Sequence, residues 1–410
     1  MRDRASIVLN YILILFAFLL PISTPLSNVS MGLLILVWII EGRWKEKFIV
    51  LKQSKAFLSY LVFILFIGCS LFWSDSIYGG FSNHAKNAVT FFFSYYVFDF
   101  MLIPILITSV KINYARYILS AFLVAMLVSE LMSWGIFAEV VHYKHVSSHD
   151  PSPFMHHTFY SIFLAVTIFV LLRQFLYTKS IAYKVLIGLF MLSAIVNLFL
   201  NGGRLGQLAF FVAMVLFIVL RYKITLKSFL LSFSLLLGIF ILAYTISPIF
   251  KNRMNLSLQS LQKISEGNYN SSWGIRTNIL IVAKEIVKEN LILGVGIGDA
   301  KQIFLKKSEQ VSQTEFFPKL RHLHNGYMQI LVETGIIGLL LFGIFIINVL
   351  NLNLHKDQFA LMVVIVTIYL VGFMGEPLLF SRKSYLLFNF FISLFIYQSL
   401  QKKKYSELLF

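Results

Sequence analysis

Charge is scarce in this chain. Only 13% of its 410 residues are Asp, Glu, Lys or Arg, where a soluble domain carries about a quarter. Acids are rarer still, 18 against 35 Lys and Arg, which leaves a formal net charge of +17. Cysteine is nearly absent. Cys69 is the single one and lies in an apolar run, so an internal disulfide and a cysteine-based metal centre are both excluded. No Asp-x-Asp occurs anywhere. What is present is apolar: 58% of the residues are hydrophobic, 42 of them Phe, and the mean hydropathy is +0.81. One globular core cannot hide that much apolar surface. The composition excludes a soluble enzyme, a secreted disulfide scaffold and a disordered chain. The apolar runs are continuous rather than alternating, which also argues against an outer-membrane barrel.

A membrane helix needs about 20 apolar residues. Twelve candidate spans can be placed, at 6–23, 26–41, 56–73, 88–110, 115–137, 158–176, 182–200, 204–221, 227–249, 327–350, 359–375 and 384–399. The predicted fold is an all-α polytopic membrane protein with about 12 transmembrane helices and one large loop carrying short helices. Its organisation is nine spans in 1–249, the loop in 250–325, and three spans with a tail in 326–410. Met1 to Arg4 and the following apolar run resemble a signal sequence, but no small-x-small cleavage site follows, so this segment reads as a first helix that is kept. Lys and Arg in alternate connections number 19 on one side and 5 on the other. The 19 include Lys223 and Lys402 to Lys404, and the 5 are Lys86, Lys144, Arg204, Arg382 and Lys383. The positive-inside rule then puts both termini in the cytoplasm and the large loop outside. With this topology the excess positive charge reads as contact with anionic headgroups, not nucleic acid.

The large loop holds 11 basic and 6 acidic residues. Within it, 272–293 reads as an amphipathic helix, with Ser271 or Ser272 as N-cap, Gly294 as stop, and Ile279, Val282, Ile286 and Val287 on one face. Arg276 falls in its first turn, where the helix dipole favours anions. A cation there makes more sense if an anion binds beside it.

Four short motifs could carry chemistry. Asn201-Gly202-Gly203-Arg204-Leu205-Gly206 lies at the outer turn between two spans, and its glycines allow a tight turn and close approach to a ligand. Arg204 either reaches lipid phosphate or serves a site. Gly294-Val295-Gly296-Ile297-Gly298 lacks the spacing and the Lys-Ser/Thr of a nucleotide loop, so it reads as a flexible turn, with backbone donors to phosphate still possible. Arg321-His322-Leu323-His324-Asn325-Gly326 stands at the entry to a span. Two His at spacing two do not share a helix face, and a third metal ligand would have to come from far away. A neutral His at such a boundary can act as general base, or can simply face water. Glu333 falls about 13 Å below His324 on an ideal helix and calls for a buried partner, most simply an Arg, while Gly335 and Gly338 would allow close helix packing. Asp99 and Glu130 raise the same partner question. His156-His157, at the end of 138–157, is a candidate for substrate contact.

The order Asn201-Gly202-Gly203-Arg204, then Arg276 ahead of Gly294-Val295-Gly296-Ile297-Gly298, then His324-Asn325-Gly326-Tyr327 leading to Glu333-Thr334-Gly335, resembles the O-antigen ligase and polymerase superfamily, and the Asn-x-Gly-Arg turn is more similar to the ligase branch. The resemblance covers roughly 195–345 by motif. It implies a bacterial inner-membrane glycosyltransferase of GT-C-like build with its active site facing the periplasm. Such an enzyme takes an undecaprenyl-pyrophosphate-linked glycan as donor and a sugar hydroxyl of lipid A core as acceptor. It implies catalytic roles for Arg204, Arg276 and His324: the guanidiniums would bind the departing diphosphate bidentately and His324 would take the proton of the attacking hydroxyl, with inversion. Arg321, His322, Asn325, His156 and His157 are the expected substrate contacts. No cofactor is expected. The first outer loop, Pro21 to Asn28, contains no acid to hold a cation, and the arginines can neutralise the diphosphate, so the reaction is expected to be metal-independent. A repeat-unit polymerase of the same superfamily and a lipid-linked glycan flippase are the competing expectations. The flippase draws on Asp99, Glu130 and Glu333, but lacks the paired broken helices or internal repeat of many transporters.

Overall fold

The computed structural model describes residues 2–74, 87–143, 146–222, 225–311, 317 and 320–401. Lys86, Lys144, Lys223 and Lys402 to Lys404, which enter the charge count, lie outside these. Sixteen helices follow one another among the described residues: α1 Arg2–Ile22, α2 Thr24–Glu41, α3 Trp44–Lys52, α4 Lys55–Cys69, α5 Ala88–Ser109, α6 Ile112–Phe137, α7 His157–Tyr177, α8 Ile181–Leu200, α9 Arg204–Arg221, α10 Leu226–Ile246, α11 Pro248–Ser265, α12 Ser272–Glu289, α13 Ala300–Val311, α14 Gly326–Leu350, α15 Lys356–Phe373 and α16 Arg382–Gln401. No strand occurs among them; an isolated bridge joins Ser147 and Asp150.

Among the described residues, ten helices are long and apolar enough to cross a membrane, which makes the chain a polytopic membrane protein. Two of the twelve expected spans fall outside this set. The span at 227–249 is helical as α10, Leu226–Ile246, and its sequence is apolar through that range. The span at 384–399 is helical as α16 and carries Ser384, Asn389, Ser393 and Gln398, which dilute its hydropathy. Its place explains those residues. It runs through the centre of the bundle, packed on α5, α7 and α15, and is buried along nearly its whole length. Polar groups on a central helix must find partners in the protein. Asn389 donates to the Asp99 carbonyl and accepts from the Tyr60 hydroxyl.

The acids inside the bundle also find partners. Asp99 faces Arg382, with Nε 3.3 Å from Oδ1. Glu130 accepts from Ser193 at 2.6 Å. Glu333 was expected to pair with Arg, but it accepts from Gln329 at 2.6 Å and from the Tyr96 hydroxyl at 3.5 Å. Gln329 is one helical turn back on the same face, so an amide within its own helix meets the need that an ion pair would have met.

The segment between α10 and α14 has its own small core. Ile279, Val282, Ala283 and Ile286 of α12 pack with Phe304 of α13 and with Leu320, Leu323 and Val332; Val287 lies at its edge. Through Val332 this cluster is continuous with α14. The expected helix at 272–293 is present but shorter. Ser271 caps it, accepting from the Gly274 N–H, and it ends at Glu289 with Asn290 as C-cap. Gly294 falls beyond its end. Arg276 is therefore the fifth helical residue and sits just past the first turn.

The glycine-rich stretch after α12 is not a free turn. Helix α14 is broken at Gly335, whose φ is 63°. The break frees backbone groups, and the stretch 291–296 takes them up. Val295 and Gly296 N–H donate to the carbonyls of Val332 and Glu333, and Ile336 and Ile337 N–H donate to those of Leu291 and Ile292. A Cβ on Gly335 would lie 2.2 Å from the Ile292 oxygen, and one on Gly294 would lie 2.6 Å from the Gly335 nitrogen. The two glycines allow backbone to lie against backbone. Ile297 and Gly298 N–H donate to Ser70 and Ser74 hydroxyls. With these donors used inside the protein, the stretch is a strap across α14 and has none of them left for a phosphate. Gly335 serves the break, not helix packing, and the space at Gly338 is filled by Thr334 of its own helix.

Candidate functional site

The site is assembled where α7, α9, α12 and α14 begin and α15 ends. His324 precedes α14 with a left-handed backbone, φ 47°, a conformation that a non-glycine residue holds only when its surroundings impose it. Asn325 follows it and anchors the chain on both sides. Its Oδ1 caps α14 by accepting from Met328 N–H, and its Nδ2 donates to the Met374 carbonyl beyond α15. The Tyr327 hydroxyl donates to the Leu370 carbonyl. These bonds tie the start of α14 to the end of α15. Asn325, an expected substrate contact, uses each end of its amide in one bond within the protein and stays partly exposed at the site.

That tie brings Glu376 to the histidines. Its Oε2 lies 3.0 Å from His324 Nδ1 and its Oε1 lies 3.1 Å from His322 Nε2. The hydrogen-bond network fixes both imidazoles. His322 Nδ1 accepts from the His324 backbone N–H, so His322 donates to Glu376 from Nε2. His324 donates to Glu376 from Nδ1. Its Nε2 is left as a lone pair with no partner among the described residues. Burial lowers the His324 pKa below the ordinary imidazole value; Glu376 opposes this, and His322 and Arg276 reinforce it. Burial also works against the Glu376 charge, but the hydrogen bonds and charge of the two histidines outweigh it and hold the carboxyl well below the usual carboxylate range.

The far third ligand that the His-x-His spacing lacked is thus present. The ligand atoms of His322, His324 and Glu376 lie within 4.8 Å of one another, so the group could hold a divalent cation. The nearby arginines weigh against it, because they raise the cost of adding further positive charge.

Facing this group is a cluster of guanidiniums. Arg204 opens α9, and its two terminal nitrogens donate to Ser257 of α11 at 2.5 Å and Ser272 of α12 at 3.2 Å. Arg276 and Arg253 act electrostatically on Arg204, and Arg276 acts on His324. The three catalytic candidates therefore share one neighbourhood. None of Arg204, Arg253 or Arg276 is in an ion pair among the described residues. The glycines of the Asn201–Gly206 turn serve mainly to seat it. Cβ atoms on Gly203 and Gly206 would collide with Ser161 of α7, and Gly202 lies against the Arg253 guanidinium, 3.0 Å from a built Cβ.

His157 and His156 border the same space. His157 Nδ1 lies 2.6 Å from Asp150 Oδ2. Asp150 also accepts from the Ser152 hydroxyl and from the Gly202 backbone. Burial raises its pKa, and these partners, His157 first among them, bring it below the ordinary value. His156 caps α7; burial lowers its pKa, as do His157 and Arg253, against Asp150 and Glu376. Arg321 is exposed and is in no ion pair among the described residues.

Glu376, Asp150 and Arg253 were not picked out in the sequence. Glu376 had one usable signal, as an acid in the short connection Met374–Ser381 between two apolar helices. Arg253 lies on α11, whose start is marked by Ser247 followed by Pro248.

Residues 187–343 match the family model described as O-antigen ligase. The match spans the Arg204 turn, Arg276, His324 and the Gly335 break, and supports the O-antigen ligase and polymerase superfamily, a glycosyltransferase-like family. No curated protein matches the chain.

Proposed function

We propose that the protein is a metal-independent, inverting membrane glycosyltransferase of the ligase type. It transfers a glycan from undecaprenyl pyrophosphate to a sugar hydroxyl of lipid A core, at the periplasmic face of the bacterial inner membrane, with both termini in the cytoplasm. The observation that carries this reading is the Nε2 of His324, without a partner among the described residues and oriented by Glu376, near guanidiniums that no described carboxylate pairs with.

In this mechanism the bond from the anomeric carbon to the diphosphate oxygen breaks and its electron pair leaves with the diphosphate. Arg204 and Arg276 stabilise the charge that develops there. Fixed donors of this kind are often the largest catalytic term. The acceptor hydroxyl attacks from the opposite face, and its proton passes to His324 Nε2. Glu376 stabilises the resulting imidazolium, the same part a carboxylate plays behind a catalytic histidine elsewhere.

The test is purified protein given lipid-linked donor and lipid A core. A glycan–core conjugate is the expected product. Chain growth on the donor alone would replace this reading with the polymerase. Movement of the donor across liposomes with no covalent product would replace it with a flippase.

A further inference from the structure

Leu323, between the two histidines, is buried, and so are Gln329 and Glu333 of α14. The three are joined by hydrogen bonds. The Leu323 N–H donates to Gln329 Oε1 at 2.9 Å, and Gln329 Nε2 donates to Glu333 Oε1 at 2.6 Å. Glu333 Oε2 lies 3.5 Å from the hydroxyl of Tyr96, which belongs to a π-helical stretch of α5, Phe92–Val97. The Glu333 carbonyl accepts from the Gly296 N–H, so its backbone is fixed as well. Buried polar groups of this kind must be satisfied inside the protein.

The far end sets the direction of these bonds. The Leu323 N–H can only donate, so Gln329 meets it with its oxygen. The amide nitrogen then points at residue 333, where an acceptor is needed, and Glu333 supplies it. An apolar residue there would strand the amide nitrogen and remove what keeps the amide from turning over. The consequence falls on His324. Its left-handed φ of 47° persists only while its surroundings hold it. Asn325 holds the chain after it, and Gln329 holds the chain before it.

We infer that Gln329 and Glu333 are positioning residues for the reaction. They hold the His322–Asn325 turn from the membrane side and so set where the His324 imidazole stands. This rests on reading His324 as the base. It gives a task in the site to an acid inside the bundle that makes no ion pair among the described residues.

The test uses the full-length protein in nanodiscs, with the folded fraction of each variant measured by size-exclusion fluorescence. Gln329→Met keeps the approximate shape and removes both bonds. Its kcat per folded molecule should fall about tenfold to a hundredfold, the scale of a misplaced reacting group, with KM for donor and acceptor little changed. Glu333→Met should show a smaller loss of kcat. Gln329→Glu sets two carboxyls against each other and should also lose turnover. Adding Glu333→Gln to it should restore most of that loss, because the bonds are then rebuilt with the amide at the other end. Placed on His324→Ala, Gln329→Met should cost nothing further, since its effect runs through that imidazole. Diethyl pyrocarbonate with mass spectrometry reads His324 without turnover, and its modification should be several-fold faster in Gln329→Met than in the wild type. Full kcat in Gln329→Met, an undiminished loss on His324→Ala, or a folded paired variant no better than Gln329→Glu alone overturns the inference. Unchanged His324 modification in every variant, with normal transfer by the wild type, sinks the positioning role and spares the glycosyltransferase. Faster modification in Gln329→Met, with no transfer by the wild type under any condition, keeps the hold on His324 and sinks the glycosyltransferase.

Discussion

His324 and Glu376 are 52 residues apart in the chain and 3.0 Å apart in space. The contact leaves one imidazole nitrogen free and fixes which one. It also separates the two neighbouring histidines: His322 has both ring nitrogens engaged, so His324 is the one that can accept a proton.

Replacing Glu376 should therefore act on turnover. Glu376→Gln keeps the shape and loses the charge that stabilises the imidazolium. Transfer should fall by about a hundredfold, the scale of a general-base contribution, with donor KM little changed. Steady-state kinetics of the purified variant against wild type checks this; an unchanged kcat would remove Glu376 from the mechanism.

The pH profile follows from the same pair. A base must be neutral to act, and His324 is held below the ordinary imidazole value. Activity should persist as pH falls through about 6.5, the free histidine value, and decline only below it. Glu376 is held lower still and remains ionised throughout that range. A decline in kcat that begins well above neutrality would contradict the assignment.

Arg204→Ala, Arg276→Ala and His324→Ala should each cost about 10²–10³ or more in transfer, with the variants still inserted and helical by circular dichroism. Arg276→Lys should not restore full rate, because a single ammonium replaces the bidentate fork. Full recovery with Lys would mean that charge alone suffices.

Chelation with EDTA should leave turnover intact, and loss of activity rescued by magnesium or manganese would defeat the metal-free mechanism. Added zinc should do the opposite of rescue. Coordination by His322, His324 and Glu376 would occupy the base, so inhibition relieved by EDTA is expected.

Gly335→Ala should destabilise the fold by several kcal/mol, about the range reserved for backbone collisions at a strained φ. Gly343→Ala, with nothing within 4 Å of the added carbon, should be close to neutral. Thermal unfolding in detergent, followed by size-exclusion fluorescence, compares the two.

The helices were legible because apolar runs of membrane length have few other destinies. Arg204, Arg276 and His324 were legible because polar groups stand out at the ends of such runs and because their order resembles a known family. Glu376 stands out only as an acid in a short connection, and a contact across 52 residues leaves no pattern that ties it to His324. The strap at 291–296 was misjudged for a related reason. Its composition is that of a loose turn, and the carbonyls that hold it belong to a helix dozens of residues later. Helix α11 is as long as several of the spans but polar, so it lacks their hydropathy contrast, and neither it nor Arg253 stands out in the sequence.

The break at Gly335 ties two kinds of folding together. A membrane helix ordinarily completes its own ladder before it meets anything else, because bare amides in hydrocarbon are costly. Helix α14 cannot. Its upper third stays open until 291–296 arrives, and that segment is delivered by α12 with its small core. Insertion of this helix and closure of the external segment are one cooperative event, so a chain cut between them should yield two fragments that rescue each other only when made in the same membrane.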